Sequence, residues 1–412
     1  MIEPITRPRR KNPLLRTRLP ASPPNARSRT AHGFTRAAAE GRFVLQRCGT
    51  CSAYSYPARE ACPACLSADL VFVDAPRRGT LLSETTVRVP ADVYFRERAP
   101  WRIGLVGMEC GPTMVAHLHA DCQEGKSVVM SLQLDKSGQA VAFAHPEHET
   151  ANMTDDRQWR EMTADPKFRR VLVTNGRSAI GQEAVAALKA AGAATIFVGL
   201  AEPWKPFRGE DALRTLQGVE IVPLDVGDEK SVSDLAADIA GKVDILVNTA
   251  EHIRAGGLLA RRTSVVRDEI DQSYLGFVHL AQAFGPAMRM RGADGVNSAA
   301  AWVNILSVYA LENWPAYGAY SASQAACLSL SHCLRAELRP GGVKVINLFT
   351  GPLDTEWFQT VPPPKVAPRV IANAIVSALK NGLEDVFVGD VAEDIRQRLA
   401  ANPKAVEREL GA

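Results

Sequence analysis

A chain of 412 residues is too long for one ordinary domain and can hold two or three, each with a core of its own. Its 46% hydrophobic and 23% charged residues are those of a soluble globular protein, and no apolar run reaches the length of a membrane span or a secretory signal. The net charge of +3 sits at the N-terminus, where residues 1–30 hold eight Arg or Lys against Glu3 alone, so no basic folded face remains for nucleic acid. These features lead us to expect a soluble, cytoplasmic protein.

Residues 1–33 read as a basic, proline-rich extended arm. Pro4, Pro8, Pro13, Pro20, Pro23 and Pro24 deny a continuous helix to the segment that carries Arg7, Arg9, Arg10 and Lys11. A solvated leader and an arm laid over a partner subunit both fit. The prolines count against a transit peptide, which needs an amphipathic helix.

Residues 34–76 predict a helix followed by a zinc ribbon. Cys48 and Cys51 in "CGTC" and Cys62 and Cys65 in "CPAC" form two C-x-x-C knuckles ten residues apart. Each knuckle can present two thiolates to one tetrahedral ion, and four thiolates suit zinc. With all four positions filled by cysteine, no coordination site is open to a substrate, so the zinc is expected to be structural. The other cysteines, Cys110, Cys122, Cys327 and Cys333, read as ordinary buried thiols.

Five short runs follow in residues 77–146: "GTLLSETTVRV", "WRIGLVGMEC", "TMVAHLHADC", "SVVMSLQLD" and "AVAFAHP". Alternating or apolar and broken by turn residues, they predict a small OB-type barrel. The order "EGRFVLQRCGTC…CPAC…RRGTLLSETTV" resembles the zinc-ribbon/OB-fold proteins that accompany thiolases and related acyl-CoA enzymes. That resemblance covers residues 34–146 and implies handling of acyl-CoA and docking to a thiolase- or aldolase-like partner. An oligonucleotide-binding barrel is the other reading, and it finds few stacking aromatics and no basic groove here.

Residues 147–168 are charged, lack a long apolar period and read as a linker. From residue 169 the texture alternates: strand "RVLVTN", helix "QEAVAALKAAGA", strand "ATIFVGL", strand "VEIVPLDV", helix "DEKSVSDLAADIAGK", strand "VDILVNTA". Strands separated by helices build right-handed βαβ units, and hence an α/β Rossmann-like, doubly wound parallel sheet over residues 169–395. Residues 396–412 are left as a C-terminal tail.

This half resembles a short-chain dehydrogenase/reductase. "TNGRSAIG" resembles the glycine-rich turn, so that Thr174, Gly176, Arg177, Ile180 and Gly181 would line a dinucleotide. Asp225 and Val226 match the adenine-contacting pair, and Asn248 opens the fourth-strand motif. Ser307 and Tyr320 match the catalytic serine and tyrosine at the family's spacing. "VINLFTGPLDT" resembles the stretch that closes over the nicotinamide.

Against that pattern, Asn175 and Ala179 replace two glycines, Glu251 stands at a small-residue position in "NTAE", Ser273 replaces an asparagine and Gln324 replaces the lysine of the Tyr-x-x-x-Lys pair. An ammonium four residues after the tyrosine lies on the same helix face and lowers the phenol pKa. Glutamine carries no charge, so Tyr320 should return towards roughly 10. Gly199 and Leu200 end the second strand without the acid that would hold the ribose of NAD, whereas Arg177 could meet the 2′-phosphate of NADP.

Two expectations follow. The first is an accessory subunit of an acyl-CoA complex whose dehydrogenase-like domain is catalytically impaired. The second is an NADP-dependent reductase or dehydrogenase of 3-oxoacyl or 3-hydroxyacyl-CoA thioesters. The resemblance also implies a homodimer paired through segments near 264–290 and 318–337, with Leu275, Phe277, Leu280, Ala325, Leu328 and Leu330 on their apolar faces.

Overall fold

A computed structural model describes residues 2–8, 21–259, 261–293 and 298–411. Most of the basic stretch of the arm, with Arg9, Arg10 and Lys11, lies outside the described residues. The described residues divide into two units, the first comprising residues 2–7, 21–165 and 380–383, the second residue 8 and the described residues of 166–379 and 384–411. Among the described residues, no helix is long and apolar enough to cross a membrane.

Unit 1 starts with α1 (Gly33–Ala39) and a three-stranded antiparallel ribbon, β1 (Val44–Cys48), β2 (Tyr54–Ser55) and β3 (Leu70–Asp74), in the order β2-β1-β3. Phe34 of α1 meets Phe72 of β3 edge to face at 5.0 Å. The buried Gln46 of β1 clamps the loop between the knuckles: its amide nitrogen donates to the Arg59 carbonyl at 2.9 Å, and its oxygen accepts the Arg59 amide at 2.7 Å.

The next strands are β4 (Arg78–Val87), β5 (Trp101–Met108), β6 (Thr113–Leu118), β7 (Ser127–Leu134) and β8 (Ala140–Pro146), with the short helix α2 (Val93–Arg98) after β4. They close into a barrel in the order β4-β5-β6-β8-β7. Closure leaves no sheet edge, and the period-two pattern turns Met114, Ala116 and Leu118 of β6 inward onto Leu81, Val106 and Met130.

Residues 147–168, expected as a linker, carry α3 (Arg157–Met162), capped by Asp156 through the Trp159 amide at 2.7 Å. Trp159 and Met162 pack with Trp101 and Phe143, so burial of two large side chains holds this segment on the barrel. Residues 2–7 and 21–33 of the arm also belong to unit 1. The Ile5 amide donates to Asp155 at 3.3 Å, and Ser137 donates to the Pro23 carbonyl at 2.6 Å.

Unit 2 alternates β9 (Arg170–Val173), α4 (Ala179–Ala190), β10 (Thr195–Leu200), α5 (Glu210–Thr215), β11 (Val219–Pro223), α6 (Glu229–Ile239) and β12 (Ile245–Asn248). Helices α7 (Thr263–Ile270) and α8 (Gly276–Met290) run on through a π-helical turn at Asp271–Leu275. Then come β13 (Ala301–Ser307), α9 (Gly318–Leu338), β14 (Lys344–Thr350), α10 (Pro368–Asn381), β15 (Asp385–Val388), α11 (Asp390–Ala401) and α12 (Pro403–Leu410).

All pairings in this seven-stranded sheet are parallel, in the order β11-β10-β9-β12-β13-β14-β15. Helices cover both faces of such a sheet, which is why β14 is buried at every position. The order reverses between β9 and β12, and the crevice at the carboxyl ends there is where this architecture binds ligands. Thr174, Asn248 and Ser307 all stand at that edge.

Three expectations need correcting. The segment 396–412 is no loose tail: Leu399 and Leu410 of α11 and α12 pack with Val308, Tyr309 and Ile395, so apolar burial holds it on unit 2. Phe277 and Leu280 point into the core, not outward for pairing, because α8 turns that side of its 3.6-residue period to the sheet. Of the four scattered cysteines only Cys122 and Cys327 are buried; Cys110 is half-buried, and Cys333 lies on the side of α9 away from the buried Ser331 and is exposed.

Candidate functional site

The ribbon brings its four sulfurs within 4.8 Å of one another, with Cys48 and Cys65 at 3.6 Å and Cys51 and Cys62 at 3.6 Å. A tetrahedron built on bonds of about 2.3 Å has edges of about 3.8 Å, so the set fits one zinc ion. The amides of Cys51 and Thr50 donate towards Cys48 and lower its thiol to about 6, which favours the thiolate a metal needs. Four cysteine ligands close the coordination sphere and make the zinc structural.

In unit 2 the crevice is tied together by side chains. Thr174 donates to Asn248 Oδ1 at 3.0 Å and accepts the Thr249 amide at 3.0 Å, while Thr249 Oγ1 accepts the Asn175 amide at 3.0 Å. These bonds lock the end of β9 to the end of β12.

The turn after β9 is closed by its own residues. Asn175 Oδ1 accepts the amides of Arg177 at 3.0 Å and Ser178 at 3.3 Å, and Ser178 Oγ caps α4 through the Gly181 amide at 3.0 Å. Where glycine would leave the loop amides to a phosphate, asparagine satisfies two of them. Gly181 has no alternative, since a Cβ there would lie 1.8 Å from the Asn175 carbonyl oxygen. Gly176 donates its amide to Gly199, and Ile180 is buried against the core.

The other dinucleotide candidates are also engaged. Arg177 donates to the carbonyls of Glu202 at 3.0 Å and Lys205 at 2.7 Å, and its guanidinium lies 4.9 Å from the Phe207 ring centre. Asp225 Oδ1 accepts from the Gly227 amide at 3.0 Å and from Gln272 at 3.3 Å. Val226 is buried, and its carbonyl lies 2.9 Å from His279 Nδ1.

The face of α9 towards the sheet carries Tyr320, Gln324, Cys327 and Ser331, spaced at helical intervals and all buried. Ser331 donates to Asn347 of β14 at 2.6 Å, fixing the roll of the helix. The structure therefore brings Tyr320 beside Ser307, whose side chain favours the ionised phenol. Gln324 Oε1 accepts the Ser307 amide at 3.0 Å, so its carboxamide is turned back onto the end of β13. Ser273 sits buried in the π-helical turn, and its hydroxyl has no partner among the described residues.

Electrostatics around Tyr320 run opposite to a tyrosine–lysine pair. Burial pushes its phenol far above the ordinary range and the nearby Glu251 carboxylate pushes it further, while the Ser307 side chain opposes both. Burial, with a contribution from Glu356, raises the Glu251 carboxyl to about 7. Tyr320 thus holds its proton at physiological pH. Glu356 belongs to the site and escaped the sequence reading, although it follows directly on "GPLDT". Its neighbours complete the wall: Phe358 lies 6.5 Å from the Tyr320 ring, and Trp357 lies under Arg254 at 4.4 Å.

Because Glu251 titrates higher in the folded than in the unfolded chain, it weakens the fold as it ionises. Stability should therefore fall as pH rises from the ordinary value of 4.5 through about 7. Glu251→Gln should raise the melting temperature of unit 2 by several degrees at pH 8 and hardly at all at pH 4.5, as read by calorimetry. An equal gain at both pH values would contradict this assignment.

A closed ribbon, a five-stranded barrel and a doubly wound sheet with a serine–tyrosine pair define a two-unit protein of dehydrogenase fold. Residues 35–71 match the rubredoxin-like zinc ribbon domain of ChsH2, residues 72–133 its C-terminal OB-fold domain, and residues 169–365 the short chain dehydrogenase family. The chain is a fusion of a ChsH2-type zinc-ribbon and OB-fold module with a short-chain dehydrogenase domain.

Among curated proteins it is similar to dehydrogenase/reductase SDR family member 7B of Bos taurus, with 29% identity over 207 residues, covering 48% of this chain and 62% of that protein. The Xenopus laevis protein of that name is 31% identical over 198 residues, covering 45% and 58%. The chain thus spans less than two thirds of the length of these relatives. A short chain dehydrogenase from Burkholderia cenocepacia J2315, solved in complex with NADP, has 31% identity and a TM-score of 0.52, covering 59% of this chain and 97% of that one. One from Streptomyces avermitilis has 27% identity and a TM-score of 0.51, covering 59% and 95%.

Proposed function

We propose that the protein is a cytoplasmic accessory subunit of an acyl-CoA-processing complex, docking a thiolase- or aldolase-type enzyme through its zinc-ribbon/OB module, and that its dehydrogenase domain is catalytically impaired. The observation that carries the impairment is the charge around Tyr320. Efficient hydride transfer in this fold needs a phenol that can lose its proton, and here a neutral Gln324 and a nearby carboxyl both work against that loss. The docking half of the reading rests on the resemblance of residues 34–146. The test is to isolate the chain with its acyl-CoA partner and assay C–C bond cleavage with and without it. Cleavage that depends on the chain supports the reading; brisk NADPH-dependent reduction of a 3-oxoacyl-CoA by the chain alone overturns it.

The second reading, an NADP-dependent reductase or dehydrogenase of 3-oxoacyl or 3-hydroxyacyl-CoA, draws on the retained contact of Ser307 with Tyr320 and on the NADP bound to the Burkholderia relative. In either case a homodimer through unit 2 is expected. Val278, Ala281 and Gly285 of α8 and Leu330 of α9 line a groove of about 810 Å³ that a second copy would fill. Light scattering at micromolar concentration should give twice the chain mass, and Ala281→Glu should halve it. A wild-type monomer would contradict this.

A further inference from the structure

Four segments of unit 2 converge on Tyr320. Ser307 ends β13 and Tyr320 stands in the first turn of α9, both buried. The segment after β12 runs beside the start of α9, where the Gly256 amide donates to the Ala316 carbonyl at 2.7 Å, and it brings the half-buried Glu251 within electrostatic reach of the phenol. On the remaining side Phe358 lies 5.4 Å from the Tyr317 ring and 6.5 Å from the Tyr320 ring, and Tyr317 donates its hydroxyl to the Trp357 carbonyl at 3.4 Å. The π-helical turn that carries the unpartnered Ser273 hydroxyl packs against α9 as well.

The hydrogen bonds sort these groups into donors and a base. Ser307 Oγ accepts the Tyr309 amide at 3.2 Å and keeps its own proton to donate, while the uncharged Gln324 is engaged by the Ser307 amide. Tyr320, which holds its proton, is a second donor. Glu251 is the complementary group: with a carboxyl raised to about 7, it is ionised in large part at neutral pH and is a stronger base than an ordinary carboxylate. Its charged neighbours across the crevice are Glu356 and Tyr320, whereas His252 and Arg254 of its own segment turn to the Trp357 ring at 6.3 Å and 4.4 Å.

A phenol and a hydroxyl that donate to one oxygen, beside a carboxylate of raised basicity, are the groups needed to remove a proton next to a carbonyl. They need no cofactor. The features that hinder hydride transfer here, a phenol that stays protonated and a carboxyl close to it, are the ones this chemistry uses.

We propose that the crevice around Tyr320 is an enolisation site for a ketone or thioester with a hydrogen on the carbon next to its carbonyl. Glu251 takes that hydrogen as a proton. The C–H electron pair becomes the C=C bond of an enolate, and the carbonyl π pair moves onto the oxygen, which Tyr320 and Ser307 stabilise by hydrogen bonds. Return of a proton from Glu251 to carbon restores the carbonyl, with hydrogen exchange, epimerisation or a shifted double bond as the outcome. No electrons leave the substrate, so no oxidant or reductant takes part. The rings of Tyr317, Trp357 and Phe358 suit an apolar substituent on the substrate. Enolisation requires neither a docked partner nor hydride transfer, so its failure and the failure of the function proposed above are separate results.

Proton NMR of the full-length protein in D2O, with acetophenone as the ketone and butanoyl-CoA as the thioester and with no nucleotide added, tests this. The hydrogens next to the carbonyl of at least one probe should exchange at least about 10²-fold faster than in buffer, and the probe that responds names the substrate class. Glu251→Gln and Tyr320→Phe should each lower the exchange by about 10²-fold or more. The wild-type rate should rise with pH through about 7 and level off above it, because Glu251 acts in its ionised form, and Glu251→Gln should lack that inflection. The melting temperature of Glu251→Gln, expected to be no lower than that of the wild type, separates loss of the base from loss of the fold. Exchange at the buffer rate with both probes, or exchange that survives either substitution, would overturn the proposal.

Discussion

Cys62→Ser should leave the zinc ribbon unfolded and the purified protein without its metal. The sulfurs of Cys48, Cys51, Cys62 and Cys65 sit within 4.8 Å of one another, and the segment between the knuckles has only the two-residue β2 pairing, the packing of Tyr54, Tyr56 and Ala58 and the Gln46 clamp on Arg59 to hold it without the metal. Structural zinc supplies about 10–16 kcal/mol of apparent binding energy to small domains, comparable with or larger than the whole stability of an ordinary fold. Serine cannot replace the thiolate. One zinc per chain by metal analysis, falling to none in Cys62→Ser with loss of the ribbon's amide protection against hydrogen exchange, is the expected outcome. Wild-type protein purified free of zinc yet fully protected would contradict it. Unit 2 should keep its protection in the same sample, since its core is its own.

The second large effect concerns Tyr320. If the domain no longer transfers hydride, Tyr320→Phe should leave the activity of the assembled complex within about twofold of wild type; for a working general acid the loss would be about 10²- to 10⁴-fold. Gln324→Lys makes the converse test. A lysine there would restore the missing charge, but it would have to give up the bond from the Gln324 carboxamide to Ser307, and it would leave Asn175 and Glu251 in place. No reductase activity should appear in that variant. NADPH consumption rising at least tenfold would show that charge alone had been lacking.

Much of this architecture can be read from the residues, for physical reasons. Cysteine spacing encodes the ribbon directly, because two knuckles can satisfy one ion in few ways. Alternation in "TMVAHL" and apolar runs such as "KVINLFT" separate the one-sided barrel strand from the fully buried parallel strand. The dehydrogenase motifs place Thr174, Asn248 and Ser307 at the carboxyl ends of the strands with Tyr320 on a helix beside them, where the structure also has them.

What was hidden depends on contacts between distant segments. Charged residues in "DDRQWREM" mask the apolar side of α3, and only the barrel surface reveals why Trp159 and Met162 are there. Glu356 could be seen in the sequence, but its influence on Glu251 could not, since they are more than a hundred residues apart.

The turn after β9, where Asn175 takes up the amides of Arg177 and Ser178, has a consequence for how long the protein lasts in the cell. An enzyme whose phosphate loop is completed by its cofactor gains stability in proportion to the logarithm of cofactor concentration, so starvation for nucleotide exposes it to proteases. A loop completed by its own asparagine has no such debt. If the dehydrogenase domain is impaired as proposed and takes no nicotinamide cofactor, the lifetime of this chain should be insensitive to the redox state and size of the nicotinamide pool.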